Sequence, residues 1–198
     1  RPPRSTPFPY TTLFRSNTII IFTSDHGDLL GDHQLILKGP IHYNGLIRVP
    51  FIWADTPDRA EPGTSDALSG TIDIAQTILD RANFEPYYGI QGRSLLPEIN
   101  GSEDQGPGSV LIEQEDQREY FGLKAPIRLR TLVTNRYRLT IYHGNDWGEL
   151  YDLQSDPSEI NNLWDDPQYT LTKLELLETL SRQQMALTDF GPLPTKLA

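Results

Sequence analysis

The sequence predicts an α/β fold in which one segment belongs to a parallel sheet and a later segment forms a small antiparallel sheet with a C-terminal helix packed on it. The stretch from Asn17 to Thr23 is dominated by apolar, β-branched residues, which is typical of a strand buried on both faces of a parallel sheet. A helical apolar period runs from Ile72 to Ala82. Partly alternating apolar residues from Arg128 to His143 surround Asn135-Arg136, which indicates a β-hairpin.

The first predicted unit spans residues 17–100. Its second strand is Val49 to Trp53, with Pro50 near the start, where a missing backbone donor is tolerated. Residues 55–70 are rich in Pro, Gly, Asp and Ser, which predicts a surface loop. We expect Thr71 or Asp73 to cap the helix that follows. The apolar positions of that helix are Ile72, Ala75, Ile78, Leu79 and Ala82.

The second predicted unit spans residues 101–198 and overlaps an irregular region from Pro86 to Pro107. Two strands are predicted beside the hairpin, at Ser109 to Glu115 and at Glu149 to Leu153. The sequence of residues 156–159, Asp-Pro-Ser-Glu, has the residue types that begin a helical turn. Asp166-Pro167 repeats that signal ahead of an amphipathic C-terminal helix. The apolar positions of that last helix are Leu171, Leu174, Leu177 and Met185.

Residues 1–16 differ from the rest of the chain. They contain three Arg, four Pro and no acidic residue, and they have neither a helical nor a strand period. Pro9 to Ser16 is similar to a translated short-read sequencing adapter. We therefore predict a non-native, disordered arm that contributes nothing to the fold.

The composition limits the classes of partner. Seventeen basic against 27 acidic residues give a net charge of −10, which argues against nucleic acid or an anionic membrane. No apolar run approaches the ~20 residues that span a bilayer, so no membrane span is expected. The absence of cysteine excludes disulfides and thiolate ligands. The chain does not begin with Met, so we expect a truncated N-terminus; localisation (periplasmic, secreted or cytoplasmic) and oligomeric state stay open.

A cluster of polar residues follows the first strand, at the edge of the sheet where ligands bind in open α/β folds. Asp25 and His26 supply an oxygen and an imidazole, and Asp28 and Asp32 supply further carboxylates. Oxygen ligands suit Ca²⁺ or Mg²⁺, whereas imidazole favours Mn²⁺ or Zn²⁺. The spacing is equally compatible with a structural role in which the two Asp nearest the strand cap the next turn and His26 binds backbone.

Three further residues are candidates for contact with a substrate. Lys38 is the only basic residue between Ser16 and Arg48, and it could bind an anionic oxygen as a point charge. His33 and His42 could protonate a leaving group. Taken singly, a solvated loop lysine and loop histidines satisfied by their neighbours are the commoner situations. Several catalytic motifs are absent: there is no Cys, Gly-x-Ser-x-Gly, glycine-rich phosphate loop or HExxH, so the chain supplies no obvious activated nucleophile.

Seven ordered motifs in this sequence resemble the C-terminal half of the sulfatases of the alkaline phosphatase superfamily. The motifs are FTSDHGD at 22–28, LGDH at 30–33, KGPIHYNGLIRVP at 38–50, DIAQTILD at 73–80, QGRSLLP at 91–97, GELYDL at 148–153 and DPSEINNL at 156–163. The resemblance covers nearly everything after Ser16. It implies the C-terminal part of an alkaline phosphatase-like parallel-sheet domain, followed by the small antiparallel subdomain with its packed helix.

The resemblance also implies a chemistry. Asp25 and His26 become two ligands of a divalent cation, usually Ca²⁺, with Mg²⁺ or Mn²⁺ as alternatives, and Lys38 becomes a contact to the sulfate ester. The family nucleophile is a formylglycine made from a Cys or Ser in a Cys/Ser-x-Pro-x-Arg motif, which this chain lacks. We therefore expect the chain alone to be inactive. Asn44 stands where the family commonly has Glu, which removes a carboxylate.

Two alternative functions remain at this stage. A phosphonate monoester or phosphodiester hydrolase of the same superfamily shares the Asp-His and Lys pattern. A non-catalytic metal-binding module is the alternative from another class, and the joint presence of Asp25, His26 and Lys38 speaks against it.

Overall fold

The computed structural model of the chain describes residues 18–56, 63–102, 106–120 and 122–187. The strands are β1 (Ile20–Thr23), β2 (Phe51–Ala54), β3 (Ser109–Asp116), β4 (Ile127–Thr134), β5 (Tyr137–Tyr142) and β6 (Gly148–Asp152). The α-helices are α1 (Asn44–Ile47), α2 (Asp73–Arg81), α3 (Leu96–Ile99) and α4 (Thr170–Ala186), and short 3₁₀ turns occupy Asp32–Gln34 and Pro167–Tyr169. The predicted arm, residues 1–16, lies outside the described residues, and the predicted boundaries of the two units stay predictions.

The first sheet corrects the prediction of a buried parallel strand. β1 pairs antiparallel with β2, and Ile21 lies opposite Trp53. Ile20 and Phe22 are 61% and 57% exposed, and β2 is the only strand that pairs with β1 among the described residues. The apolar run predicts the strand correctly, but the prediction that this strand is buried on both faces is wrong for this chain.

Helix α2 is confirmed, although polar groups hold its start in a way that the sequence did not predict. Ile72 and Ile78 of the predicted apolar face are exposed, whereas Asp73 and Thr77 are buried. The Asp73 carboxylate accepts hydrogen bonds from the backbone N–H groups of Gly70 and Arg93, both at 2.9 Å. Thr71 makes no capping bond at the helix start. The described part of the irregular region from Pro86 to Pro107 also contains α3, a helix that the Pro and Gly residues there did not predict.

The second sheet confirms the predicted antiparallel arrangement. Its strand order is β3-β4-β5-β6, and the predicted turn at Asn135-Arg136 joins β4 to β5. Leu132 and Leu139 lie opposite each other across the hairpin and are fully buried. Helix α4 packs on this sheet, and the shared core consists of Leu132, Leu139, Leu150, Leu176 and Leu180.

Helix α4 begins as predicted but presents a different face to the sheet. Asp166 accepts a hydrogen bond from the backbone N–H of Gln168 at 2.8 Å, which starts the turn that leads into α4. Of the predicted apolar face, only Leu177 packs on the core, whereas Leu171, Leu174 and Met185 are exposed. The leucines of this helix lie on several of its sides, so periodicity alone could not identify the face that the sheet covers.

The predicted helical turn at residues 156–159 is a tight turn and no helix. Asp156 accepts from the backbone N–H groups of Glu159 and Asn161, through its carbonyl and its carboxylate respectively. Glu159 has a φ of +56°, which is incompatible with a continuing helix. Its side chain therefore turns inward instead of capping, and it is 3% exposed. None of the described helices is both long and apolar enough to cross a membrane.

Candidate active site

The loop after β1 brings two distant parts of the first unit into backbone contact. The N–H of Gly27 donates to the carbonyl of Leu46 at 2.8 Å. A Cβ at position 27 would lie 1.9 Å from the carbonyl oxygen of Gly45, so only glycine allows this approach. Leu29, Ile41 and Leu46 form a small apolar cluster beneath the loop. Asp25 and His26 are therefore held against the segment that follows Lys38.

The side chains of Asp25, His26 and Lys38 lie close together. Asp25 Oδ2 and His26 Nε2 are 3.4 Å apart, and the Lys38 ammonium contacts His26 Nε2. The backbone N–H of His26 donates to Asp25 Oδ1 at 3.0 Å, which holds the pKa of the Asp25 carboxyl below its usual range. The site therefore carries an ionised carboxylate beside an imidazole and an ammonium group.

The His26 ring is oriented for a bond through Nε2. Its Nδ1 lies 2.7 Å from the carbonyl oxygen of Gly27, which can only accept a hydrogen bond, so Nδ1 carries the proton. Histidines that bind metals commonly donate their other ring N–H to a carbonyl in this way. A separation of 3.4 Å also suits two atoms that share one cation, since such bonds are roughly 2.0–2.6 Å long.

The fit to a cation is partial within this chain. The described residues contain no group of three or more His, Cys, Asp or Glu side chains arranged to hold a metal ion. Asp28 and Asp32 lie on the same loop but do not complete such a group with Asp25 and His26. These residues thus supply two ligands and an anion-binding ammonium, and a complete coordination sphere needs further donors.

A cleft of about 1180 Å³ opens beside these three residues. One wall is the site loop with Asp25, His26 and Lys38, and the opposite wall is β3. Glu113 and Asp116 of β3 line the cleft, together with Arg48, Asn44 and Arg118. The cleft is large enough for an ester of sugar size, because pockets for small molecules commonly have volumes of about 300–1,000 Å³.

His33 lies away from the cleft walls. Its ring stacks on Tyr43 with a centroid distance of 3.6 Å and an interplanar angle of 9°. The backbone there is strained, because Leu30, His33, Gln34 and Leu37 all have positive φ angles without being glycine. The structure thus brings His33 against Tyr43 and does not bring it to Asp25, His26 and Lys38.

His42 lines the cleft, but its ring is buried and both its nitrogens are engaged. Nδ1 lies 2.8 Å from Thr131 Oγ1, and Nε2 lies 2.9 Å from Gln114 Oε1. Burial, with a smaller contribution from the nearby Arg138 charge, lowers the pKa of His42 to about 4. At neutral pH this imidazole is therefore uncharged, which does not suit the predicted role of a protonated acid.

The pH dependence of stability tests this state of His42. Its pKa falls from an ordinary 6.5 to about 4, so the unfolded chain takes up the proton first as the pH drops. The stabilisation is complete above about pH 6.5 and is lost as the pH falls toward 4. We expect the free energy of unfolding to fall by about 2 kcal/mol between pH 7 and pH 5.

Urea unfolding at a series of pH values measures this effect. His42→Gln should remove most of the fall between pH 7 and pH 5. His143→Gln, which replaces an exposed histidine, should retain it. An equal fall in the His42→Gln variant and in the unmodified chain would contradict the assignment.

Sequence reasoning missed a buried charge cluster centred on Arg138. Its guanidinium is fully buried, Nη1 donates to Glu149 Oε2 at 2.8 Å, and Nε donates to Glu159. The rings of Tyr43 and Tyr151 lie 5.1 and 4.7 Å from the guanidinium carbon. No sequence signal indicated this cluster: Arg138 and Thr140 alternate with the apolar residues of β5, so alternation predicts that both are exposed.

The structure and sequence together agree with a known class of hydrolase. The sequence model of the family described as N-sulphoglucosamine sulphohydrolase, C-terminal, matches residues 31–186. The Δ4,5-hexuronate-2-O-sulfatase of Bacteroides thetaiotaomicron is 32% identical over 163 residues, which cover 81% of this chain and 33% of the relative. The chain belongs to the sulfatase family, in which it corresponds to the C-terminal region.

Solved structures support the same fold. The protein BT4656, solved in complex with its substrate D-glucosamine-2-N,6-O-disulfate, superposes with a TM-score of 0.76 and 30% identity, over 91% of this chain and 37% of that one. The phosphonate monoester hydrolase of Agrobacterium radiobacter superposes with a TM-score of 0.78 and 27% identity, over 92% and 38%. The chain spans about a third of the length of the two Bacteroides thetaiotaomicron sulfatases that it matches.

Proposed function

We propose that this chain forms one wall of the active site of a sulfatase that hydrolyses sulfate esters. The observation that carries the proposal is the meeting of Asp25, His26 and Lys38 at the mouth of one cleft. A carboxylate and an imidazole nitrogen can hold a divalent cation, and an ammonium group can bind an oxygen of the transferred sulfate. Family membership makes this arrangement more probable than a chance cluster of charges.

The proposed cation is Ca²⁺, with Mg²⁺ or Mn²⁺ as alternatives. Asp25 and His26 would hold it, since the Asp25 carboxylate is ionised and the proton of His26 lies on Nδ1. When bound, the cation would withdraw electron density from a sulfate oxygen. The proposed nucleophile is a formylglycine supplied from outside this chain.

Lys38 has the clearest role among the residues of this chain. Its ammonium group is exposed at the cleft and would offset negative charge that develops on the transferred group. Such a point charge can bind an anionic oxygen of the sulfate group while that group is transferred. The predicted role of His33 and His42 as acids to the leaving alcohol stays a prediction.

The proposed substrate class is a sulfated carbohydrate. The relative from Bacteroides thetaiotaomicron is a hexuronate sulfatase, and BT4656 binds a disulfated glucosamine. A phosphonate monoester hydrolase is the second candidate, because such an enzyme superposes on this chain as well as the sulfatases do. The matching family model, which is described as that of an N-sulphoglucosamine sulphohydrolase, supports the first candidate.

Cation binding to the chain tests the metal part of the proposal. We expect Mn²⁺ to broaden the NMR signals of His26 and its neighbours, because the paramagnetic ion would sit beside that ring. Asp25→Asn should weaken the apparent affinity for Mn²⁺ by about tenfold or more, as substitutions at metal sites commonly do. Asp28→Asn is the matched control and should bind like the unmodified chain. Equal affinity for both variants would argue against a site at Asp25.

Turnover tests the reaction. The longer protein that contains this sequence should hydrolyse sulfated monosaccharides faster than matched phosphonate monoesters. The 198-residue chain alone should not hydrolyse a chromogenic aryl sulfate, because it lacks the Cys/Ser-x-Pro-x-Arg motif. A faster phosphonate reaction would favour the second candidate, and a longer protein without that motif would favour a non-catalytic module.

A further inference from the structure

A chain of four hydrogen bonds runs through the interior from Arg138 to β3. Arg138 Nη1 lies 2.8 Å from Thr140 Oγ1, which lies 2.7 Å from Thr131 Oγ1. Thr131 Oγ1 lies 2.8 Å from His42 Nδ1, and His42 Nε2 lies 2.9 Å from Gln114 Oε1. Arg138, Thr140 and Thr131 are fully buried, and His42 is 4% exposed. We call this chain of contacts the relay.

The two ends of the relay determine the direction of every bond in it. The amide oxygen of Gln114 can only accept, so His42 Nε2 must donate, and Nδ1 of the neutral ring must accept. Thr131 therefore donates its only hydroxyl proton to Nδ1 and must accept from Thr140. Thr140 in turn accepts from Arg138, which has no acceptor atom. Each hydroxyl donates once and accepts once, so both threonine hydroxyls and both ring nitrogens of His42 are paired, whereas Nη2 of Arg138 has no hydrogen-bond partner.

The same arginine also holds the two residues that follow His42. The ring of Tyr43 lies 5.1 Å from the guanidinium carbon of Arg138. The backbone N–H of Asn44 donates to Glu159 Oε2 at 2.7 Å, and Glu159 accepts from Arg138 through its other oxygen. Three consecutive residues of the first unit are thus each attached to one buried charge cluster in the second sheet.

These three residues lie in the chain between Lys38 and the backbone contact that holds Gly27. Lys38 precedes His42 by four residues, and the intervening Pro40 is fully buried. On the other side, the carbonyl of Leu46 accepts from Gly27, directly beyond His26. A shift of the segment 42–44 would therefore move both the ammonium group and the Asp-His pair.

We propose that His42 is a positioning residue. Held through the relay as the neutral tautomer with its proton on Nε2, it attaches the segment 42–44 to the second sheet. This attachment maintains the geometry of Asp25, His26 and Lys38. This role differs from acid catalysis, because both ring nitrogens of His42 are committed to protein partners. The proposal concerns the shape of the site and does not depend on which ester is hydrolysed or on whether a cation binds.

The first test is the tautomer in the unmodified chain. Long-range ¹H–¹⁵N NMR of the four histidine rings distinguishes a protonated Nε2 from a protonated Nδ1. We expect His42 to show a protonated Nε2 and a hydrogen-bonded Nδ1 at pH 7. A proton on Nδ1, or a doubly protonated ring, would overturn the proposal without any need for a variant.

The second test removes one hydroxyl from the relay. Thr131→Val keeps the shape of the side chain and loses the relay, whereas Thr131→Ser keeps the hydroxyl and loses a methyl group. We expect Thr131→Val to increase the exchange rates of the Gly27 and Asn44 amides at least roughly tenfold, since it leaves the buried Nδ1 of His42 and the buried hydroxyl of Thr140 unpaired. Thr131→Ser should leave both rates close to those of the unmodified chain.

Thr77→Val is the control for a general loss of stability. Thr77 is fully buried and makes two hydrogen bonds, to Asp73 and Leu95, away from the relay. Loss of the Thr77 hydroxyl should not change the NMR signals of the His42 ring. It should also raise the amide exchange rates of Gly27 and Asn44 no more than those of other amides. Equal effects of Thr131→Val and Thr131→Ser, or of Thr131→Val and Thr77→Val, would overturn the proposal.

Discussion

Replacing Arg138 with methionine is expected to lower the free energy of unfolding by about 3–5 kcal/mol. The substitution keeps a long apolar side chain but leaves Glu149 and Glu159 without their cation. Both carboxylates are buried, at 6% and 3% exposure, so water cannot replace the lost partner. An uncompensated buried charge is among the most destabilising changes that a single substitution can cause.

Urea unfolding measures this effect, and the chain offers a matched control. Arg182 pairs with Glu178 on the exposed face of α4, so Arg182→Met should cost less than about 0.5 kcal/mol. Adding Glu149→Gln and Glu159→Gln to Arg138→Met should recover much of the loss, because no buried charge then remains. A loss of less than about 1 kcal/mol for Arg138→Met would show that the cluster is not a main source of stability.

Arg138→Lys distinguishes charge from geometry at the same position. Lysine keeps the positive charge but carries all its N–H donors on one nitrogen. The guanidinium of Arg138 instead donates from two separate nitrogens to Glu149, Glu159 and Thr140. We therefore expect an intermediate stability and a weakened relay.

Replacing Gly27 with alanine is expected to cost roughly 3 kcal/mol. The added Cβ would lie 1.9 Å from the carbonyl oxygen of Gly45, and that atom belongs to the backbone and cannot rotate away. The loop must move, and it then loses the hydrogen bond from Gly27 to Leu46. Because Asp25 and His26 precede this contact, the same change should also weaken the proposed cation site.

Urea unfolding and Mn²⁺ titration of the same samples separate the two effects. Gly63→Ala is the matched control, since nothing lies within 4 Å of its added Cβ and its φ is not positive. That variant should unfold like the unmodified chain or be slightly more stable, because alanine reduces the freedom of the unfolded chain. If Gly27→Ala is as stable as Gly63→Ala, the close approach at Gly45 cannot be essential to the loop.

The sequence predicted local elements well where neighbouring residues decide them. The β4-β5 hairpin, β3, β6 and the start of α4 at Asp166 lie where alternation and capping signals indicated. These signals depend on contacts between residues that are close in the chain. The prediction of burial failed more often, as for Phe22 of β1, because burial depends on which other elements pack on the strand or helix.

The candidate site divides in the same way. Motif resemblance identified Asp25, His26 and Lys38, which lie within 14 residues of chain, and the structure brings these three together. The motif resemblance did not identify the role of His42, whose partner Thr131 is 89 residues away in the chain. No local pattern indicates that a loop histidine will meet a threonine in the middle of a distant strand.

By itself, the sequence determined the order of the strands, the family and the three residues that meet at the cleft. Periodicity, capping and motif spacing are properties of short stretches, so they can be read before the chain folds. Only the tertiary structure decided that Arg138, Glu149 and Glu159 form one buried cluster and that His42, Tyr43 and Asn44 are attached to it. The physical reason is that burying a charge is favourable only when its partners arrive together, and folding brings them from separate parts of the chain.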